Sequence, residues 1–460
     1  MLSFTQSTRW GRREFLRVGG LALGGLSLDA SWRACAAAVG DPAWVKDRSI
    51  VFLFLHGGPS QIETFDPKME APSNIRSATG ELPTALPGIT FGGTFPRLAA
   101  LADQMTIVRS FTTGDGNHDI KPVVSRDSFN ASLGSMYARV AGSNHPVTGV
   151  PRNIQLYPRA VDSSTQPEQL SFGDFRATGR LGSGCAPLVV GAGGGFQDDL
   201  QMRMPMQRLD DRRNLLRQID GIRRDRDRGA GRLDSLRDQA LDTLLGKAAE
   251  AFQLQSEDPR VVERYDTAPL VRPEQIDPKW KNYNNYVDNA KSLGKLLLLA
   301  RRLCERGCGF VTVTTNFVWD MHADVNNATM EEGMRYMGWP LDHAVSAFIE
   351  DCRVRGLDDK ILLVVCGEMG RTPRINATGG RDHWGDLAPL LLFGGGVRQG
   401  QVLGQSDREA SRPASDPVTM QHLIGTLMHS SFDVSRLRLV PELPREISSA
   451  LSYEPIPSIF

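Results

Sequence analysis

The chain has 460 residues, enough for one large core or for a core carrying an inserted subdomain. Lysine plus arginine and aspartate plus glutamate number 53 each, so no global field selects nucleic acid or an anionic surface, and only a local basic pocket for a small anion stays open. The six cysteines show no disulfide framework and no second pair to complete a zinc site with Cys304 and Cys308, so they read as structural thiols.

In chain order, the first feature is "TRWGRREFLRVGGLALGGLSLDASWRACAAA", with Arg12-Arg13 before a modest apolar stretch and an alanine-rich end. It resembles a twin-arginine export signal cleaved after Ala36, Ala37 or Ala38, so residues 1–38 are set apart from the fold and the mature domain is taken as 39–460. No later run approaches the ~20 apolar residues of a membrane span. The mature chain is therefore expected outside the inner membrane, in the periplasm or at the cell surface, with no transmembrane span.

A continuous apolar run, Ile50 to Leu55, ends in His56-Gly57-Gly58-Pro59 and reads as a strand buried on both faces. A proline- and glycine-rich span leads to a helix in "FPRLAALADQ" and a short strand in "MTIVRS", an order that suggests parallel pairing of the two strands. "GDGNHDIKP" follows, placing Asp115, Asn117, His118 and Asp119 at the expected start of a helix, where backbone donors favour a phosphate or sulfate. The bland alternative is an N-cap turn. Residues 206–249, dense in Arg and Asp with leucines at helical spacing, read as a helical insertion broken near Gly229 to Gly231; the interleaved aspartates cancel its basic field and argue against nucleic acid.

Two further helix-strand units close the pattern. The helix "NAKSLGKLLLLARRLCERG" precedes the strand "GFVTVTT", and the helix "LDHAVSAFIEDCRVRGLDD" precedes "KILLVVCG"; "LAPLLLFGGG" adds one more strand. At least five strands with intervening helices give an α/β fold built on a large, mainly parallel sheet.

Charge collects where these strands end. His56, the pair Asp320 and His322, and Glu368 with Asp382-His383 all follow apolar runs. The crevice beyond the carboxyl ends of parallel strands is where such sheets bind ligands, and imidazoles and carboxylates are the side chains that hold a divalent ion such as Zn²⁺, Mn²⁺ or Ca²⁺. Each piece alone is also compatible with a local cap or a structural pair. Arg371 suits bidentate contact with an oxyanion, or anchors a strand-end carboxylate.

"FLHGGPSQIETFDPK", "RSFTTGDGNHD", "WDMHADVNN" and "GEMGRTPRINATGGRDHWGDLAPLLLFGGGVRQGQVLG" together resemble the family of unknown function numbered 1501, from about Ser49 to about His429. That family is placed in the alkaline phosphatase and sulfatase superfamily. The resemblance implies helices on both faces of a mainly parallel sheet and metal-assisted ester hydrolysis at the strand ends. It places the middle ligand pair on Asp320 and His322, the late pair on Glu368 and Met369, and the late histidine on His383. Met369 is a poor ligand for a hard ion, and His56 stands where a carboxylate is expected. Asn117 and His118 occupy the turn where the superfamily carries a hydroxyl or thiol nucleophile. The working expectation is an exported hydrolase of phosphate or sulfate esters, with metal ligands among His56, Asp320, His322, Glu368, Asp382 and His383, and with Asn117, His118 and Arg371 on the anionic group of a small ester. The alternative is a non-catalytic protein that binds a sulfated glycan or another anion on the same fold.

Overall fold

The computed structural model describes residues 41–191 and 247–460, so the twin-arginine segment and residues 206–246 of the helical insertion lie outside the described residues. The strands are β1 (Ser49–Phe54), β2 (Glu81–Pro83), β3 (Thr90–Gly92), β4 (Thr106–Val108), β5 (Asn153–Leu156), β6 (Leu188–Val190), β7 (Phe310–Thr314), β8 (Ile361–Cys366), β9 (Gly370–Arg371), β10 (His383–Trp384), β11 (Leu390–Gly394) and β12 (Gln401–Leu403). Eight of them form one sheet in the order β12-β4-β11-β8-β1-β7-β5-β6. Every pairing is parallel except those of β11 with β8 and with β4, so β11 alone runs against the rest.

Side-chain alternation along the central strand explains why the sheet is covered on both faces. Val51, Leu53 and Leu55 join one core with the long helices Tyr283–Glu305 and Met330–Val354. Ile50, Phe52 and Phe54 join a second core with the helices Leu133–Ala141 and Met420–Ser431. Thr329 starts the Met330–Val354 helix, its hydroxyl accepting from the Glu332 amide, and the helix runs on through Pro340, earlier than the expected start at Leu341. Cys185, Cys304, Cys308, Cys352 and Cys366 are all buried and unpaired, as structural thiols.

The expected strands form with small shifts at their ends, and the expected pairing needs correction. β1 and β4 point the same way but are not neighbours, because β8 and the reversed β11 lie between them. Seven short strands, β2, β3, β5, β6, β9, β10 and β12, carry no long apolar run and were not foreseen. The expected helix at "GDGNHDIKP" does not form. The side chains of Asp115 and Asp119 capture the amides of Asn117 and Lys121, which favours turns over a helix. The next helix instead begins at Leu133, with the Ser132 hydroxyl accepting from Ser135.

The carboxyl ends of β1, β4, β7 and β8 converge on one edge of the sheet. From there the chain continues into His56-Gly57-Gly58, the turn around His118, the segment Phe317–Asn327 and the loop Gly367–Asp386. A helix Gln61–Thr64, capped by Ser60, packs under this edge and carries Glu63 into the interior.

Candidate metal centre

The loop after β7 is held against β1 by backbone. The carbonyl of His56 accepts from the amides of Val318 and Trp319, 3.1 and 3.0 Å away. Gly57 lies at φ +115°, and a Cβ there would sit 2.6 Å from the Asp320 amide, so only glycine lets the two loops touch. Asp320 is thereby fixed at the centre of the edge.

Around its Oδ1 stand three imidazole nitrogens: His322 Nε2 at 2.9 Å, His118 Nε2 at 3.3 Å and His383 Nε2 at 3.5 Å. His322 Nε2 and His383 Nε2 are 2.7 Å apart, and one donor atom from each of the four residues lies within 4.8 Å of all the others. A tetrahedral zinc ion with bonds of about 2.0–2.1 Å spaces its ligand atoms by about 3.3–3.4 Å, in the middle of these separations. His118 Nε2 is buried and makes no aligned hydrogen bond, so its lone pair has no other use in the fold. The donor set therefore fits a divalent ion.

Carboxylates behind two of the rings set their tautomers. His118 Nδ1 donates to Glu368 Oε1 at 3.0 Å, and His322 Nδ1 donates to Asp382 Oδ1 at 3.1 Å, which turns each Nε2 lone pair toward the shared point. Arg371 Nη1, which can only donate, lies 3.3 Å from His322 Nε2 and agrees with that assignment. Glu368 is fully buried and accepts both its oxygens' share from the Gly57 amide, at 2.9 and 3.1 Å.

The sequence-expected residues thus fall into three places. Asp320, His322 and His383 converge, and His118, expected on the anion, joins them. Glu368 and Asp382, expected as ligands, stand behind His118 and His322 as hydrogen-bond acceptors. His56 is held elsewhere, its ring among Phe54, Phe172, Phe175 and Phe317, where burial lowers its pKa to about 4 against the opposing charge of Glu368. Met369 is fully buried.

Arg371, also expected on the anion, lies beside the cluster with its donors taken up within the protein, and Asn117 lies on the surface of the turn. The Arg371 guanidinium is fully buried and donates to Asp320 Oδ1 at 2.7 Å, to the Gly58 carbonyl at 2.7 Å, to the Arg381 carbonyl at 3.2 Å and to the Gly57 carbonyl. It anchors a strand-end carboxylate, the second of its two readings. Asn117 is exposed, with its amide on Asp115 and its carbonyl receiving Lys121 Nζ at 3.1 Å.

Three supporting residues carried no signal in the sequence. Asn327 Nδ2 donates to Asp320 Oδ2 at 3.2 Å, and only the fold reveals which asparagine of "VNN" turns inward. Phe317 and Phe172 stack at 4.4 Å and wall the His118 ring at 4.7 and 5.3 Å. Electrostatically, burial opposes ionisation of Asp320, but the close approach of His118, His322 and His383 and the Arg371 charge hold its carboxyl far below the usual range. Burial likewise opposes a charged His118, and its contacts with Asp320 and Glu368 outweigh that and raise its pKa.

Among solved structures, the chain is similar to the PsFucS1 sulfatase from Pseudoalteromonas sp., at 10% identity and TM-score 0.36 over 96% of this chain and 74% of that one. It is also similar to Ps i-CgsB in complex with k-i-k-neocarrahexaose, at 10% identity and TM-score 0.33 over 84% and 72% of the two chains. A third, from a locus for metabolism of multiple glycosaminoglycans in Bacteroides thetaiotaomicron, gives 10% identity and TM-score 0.34 over 83% and 73%. Similarity at this level carries no argument about what this chain does. A search of curated proteins finds no match. The model of the family described as "Protein of unknown function (DUF1501)" matches residues 47–438, nearly the whole described domain, and the chain belongs to that family.

Proposed function

We propose that this protein is a metal-dependent hydrolase of phosphate or sulfate esters, with one ion held by His118, Asp320, His322 and His383. The observation that carries the reading is the convergence of three Nε2 atoms and one carboxylate oxygen at a strand-end edge, with carboxylates orienting two of the rings. Three imidazoles and one carboxylate suit zinc better than calcium, which prefers six to eight oxygen ligands, and manganese is the second choice. A bound ion of this kind supplies Lewis acidity toward an ester oxygen and brings the pKa of water near neutrality.

The chain's own residues prepare the site. Arg371 and Asn327 hold Asp320 from both of its oxygens, Glu368 and Asp382 hold the His118 and His322 rings, and the Phe172–Phe317 pair keeps water from one side of His118. With the Arg371 donors engaged internally, the positive charge offered to an anionic group is chiefly that of the ion. The alternative of an anion-binding protein that has lost its ligands is motivated by His56, Met369 and the missing hydroxyl, and the convergence of His118, Asp320, His322 and His383 favours the metal reading over it. The exported, periplasmic or cell-surface location is part of the proposal and rests on the Arg12-Arg13 leader; among the described residues no helix is long and apolar enough to cross a membrane.

The test is a panel of aryl phosphates and aryl sulfates incubated with the full chain loaded with Zn²⁺ or Mn²⁺. Hydrolysis that disappears in His322→Ala supports the reading. Binding of sulfated glycan with no cleavage of any ester would favour the non-catalytic alternative.

A further inference from the structure

His118 is the one candidate ligand that comes from a turn rather than from the loops directly joined to β7 and β8, and its setting shows what holds it there. Among the described residues no backbone amide from Asp115 to Val123 donates to a backbone carbonyl, so neither helix nor sheet fixes this stretch. The turn lies flat on the strand of His383. A Cβ on Gly116 would stand 3.0 Å from the His383 Cβ, and one on Gly385 would stand 2.3 Å from Asp115 backbone.

One ammonium group joins the acceptors of the turn. Lys121 is 3% exposed, and its Nζ donates to Asp115 Oδ1 at 2.8 Å, to Asp119 Oδ2 at 3.0 Å and to the Asn117 carbonyl at 3.1 Å. Those acceptors bracket His118 on both sides in sequence. All three ammonium protons are satisfied, so the buried charge is fully compensated and is costly to remove from this geometry. The two carboxylates are largely solvent-exposed on their outer sides, which leaves the lysine as the buried hub.

We propose that Lys121 is a positioning residue that clasps the turn around its ammonium and so presents His118 Nε2 to the metal ion; this rests on the metal reading of the site. The ammonium does not touch the cluster. Its effect passes through the backbone of Asn117 and Asp119 to the ring between them.

The experiment titrates Zn²⁺, and Co²⁺ as a spectroscopic probe, into full-length wild type, Lys121→Met, His118→Ala and the double variant. Loss of an orienting partner behind a ligand typically costs 10- to 100-fold in metal affinity. Lys121→Met is expected to weaken binding at least tenfold, to shift the Co²⁺ absorption toward that of His118→Ala, and to add nothing further in the His118→Ala background. An Asp115→Asn/Asp119→Asn variant changes only the exposed acceptors, leaves the core untouched and is expected to show the same pattern. Wild-type affinity and spectrum in both clasp variants would overturn the proposal while leaving the metal site standing, as would an equal loss in the presence and absence of His118. A wild-type chain that binds neither ion overturns the underlying reading itself.

Discussion

Glu63→Gln removes one negative charge from the best-enclosed ion pair beneath the site. Glu63 and Arg381 are both fully buried, with Nη2 2.8 Å and Nε 3.1 Å from Glu63 Oε1. Glu63 also accepts from Ser77 Oγ at 2.8 Å and from the Ala78 amide at 3.0 Å. A glutamine amide of the same shape must point its NH2 group either at Arg381 or at these donors, so one side faces donor against donor. Breaking a buried pair from one side costs about 3–5 kcal/mol. Arg381 keeps the carbonyls of Ile75 at 2.8 Å and Arg76 at 3.1 Å, so its charge stays partly solvated and the expected loss lies near about 3 kcal/mol. Arg381 directly precedes Asp382 and His383, so metal affinity falls with stability. The assay is guanidinium denaturation of metal-free protein at neutral pH, followed by metal titration of the folded variant. A loss below about 1 kcal/mol, the size of an exposed pair, would refute the reasoning.

Gly57→Ala must strain a backbone at φ +115° and push a Cβ into the Asp320 amide, so metal binding is lost and stability falls by more than about 1 kcal/mol; metal titration and denaturation check both. Glu368→Gln leaves the His118 ring without its carboxylate acceptor, and a 10- to 100-fold weaker metal affinity by titration is expected. Asp342 gives a pH signature away from the site. Burial raises its pKa to about 6, against the lowering effect of hydrogen bonds from the Leu98 and Arg97 amides. A carboxyl raised in the folded state contributes stability that is complete below its unfolded pKa and is lost as pH rises through the folded value. Wild type should therefore lose about 2–3 kcal/mol relative to Asp342→Asn between pH 4 and pH 7, measured by denaturation across that range, and a flat difference would contradict the assignment.

The sheet was legible because its central strands are unbroken apolar runs. Ile50–Leu55, "GFVTVTT" and "KILLVVCG" have few other homes than a doubly covered parallel sheet, and the charge after each of them marked the functional edge. The reversal of β11 was hidden, since "LLLFG" reads the same in either direction. At the site, residue type identified Asp320, His322 and His383 as a group, but not which groups touch a common point. Glu368 and Asp382 are as acidic as Asp320, and only the fold shows them behind histidine rings. His118 was grouped with the anion contacts because a helix was expected at its turn; the capture of amides by Asp115 and Asp119 overrode that pattern. Arg371 carries two readings in sequence, oxyanion contact or anchor of a strand-end carboxylate, and only the fold shows it on Asp320 and the loop carbonyls beside β9.

The most direct measurement is the metal content of the full chain purified without added chelator, by elemental analysis, alongside His322→Ala and His383→Ala. The account predicts about one transition-metal ion per chain, zinc above manganese and calcium, and its loss from both variants while each stays folded. A folded wild-type chain that carries no ion and takes up none on titration would contradict it.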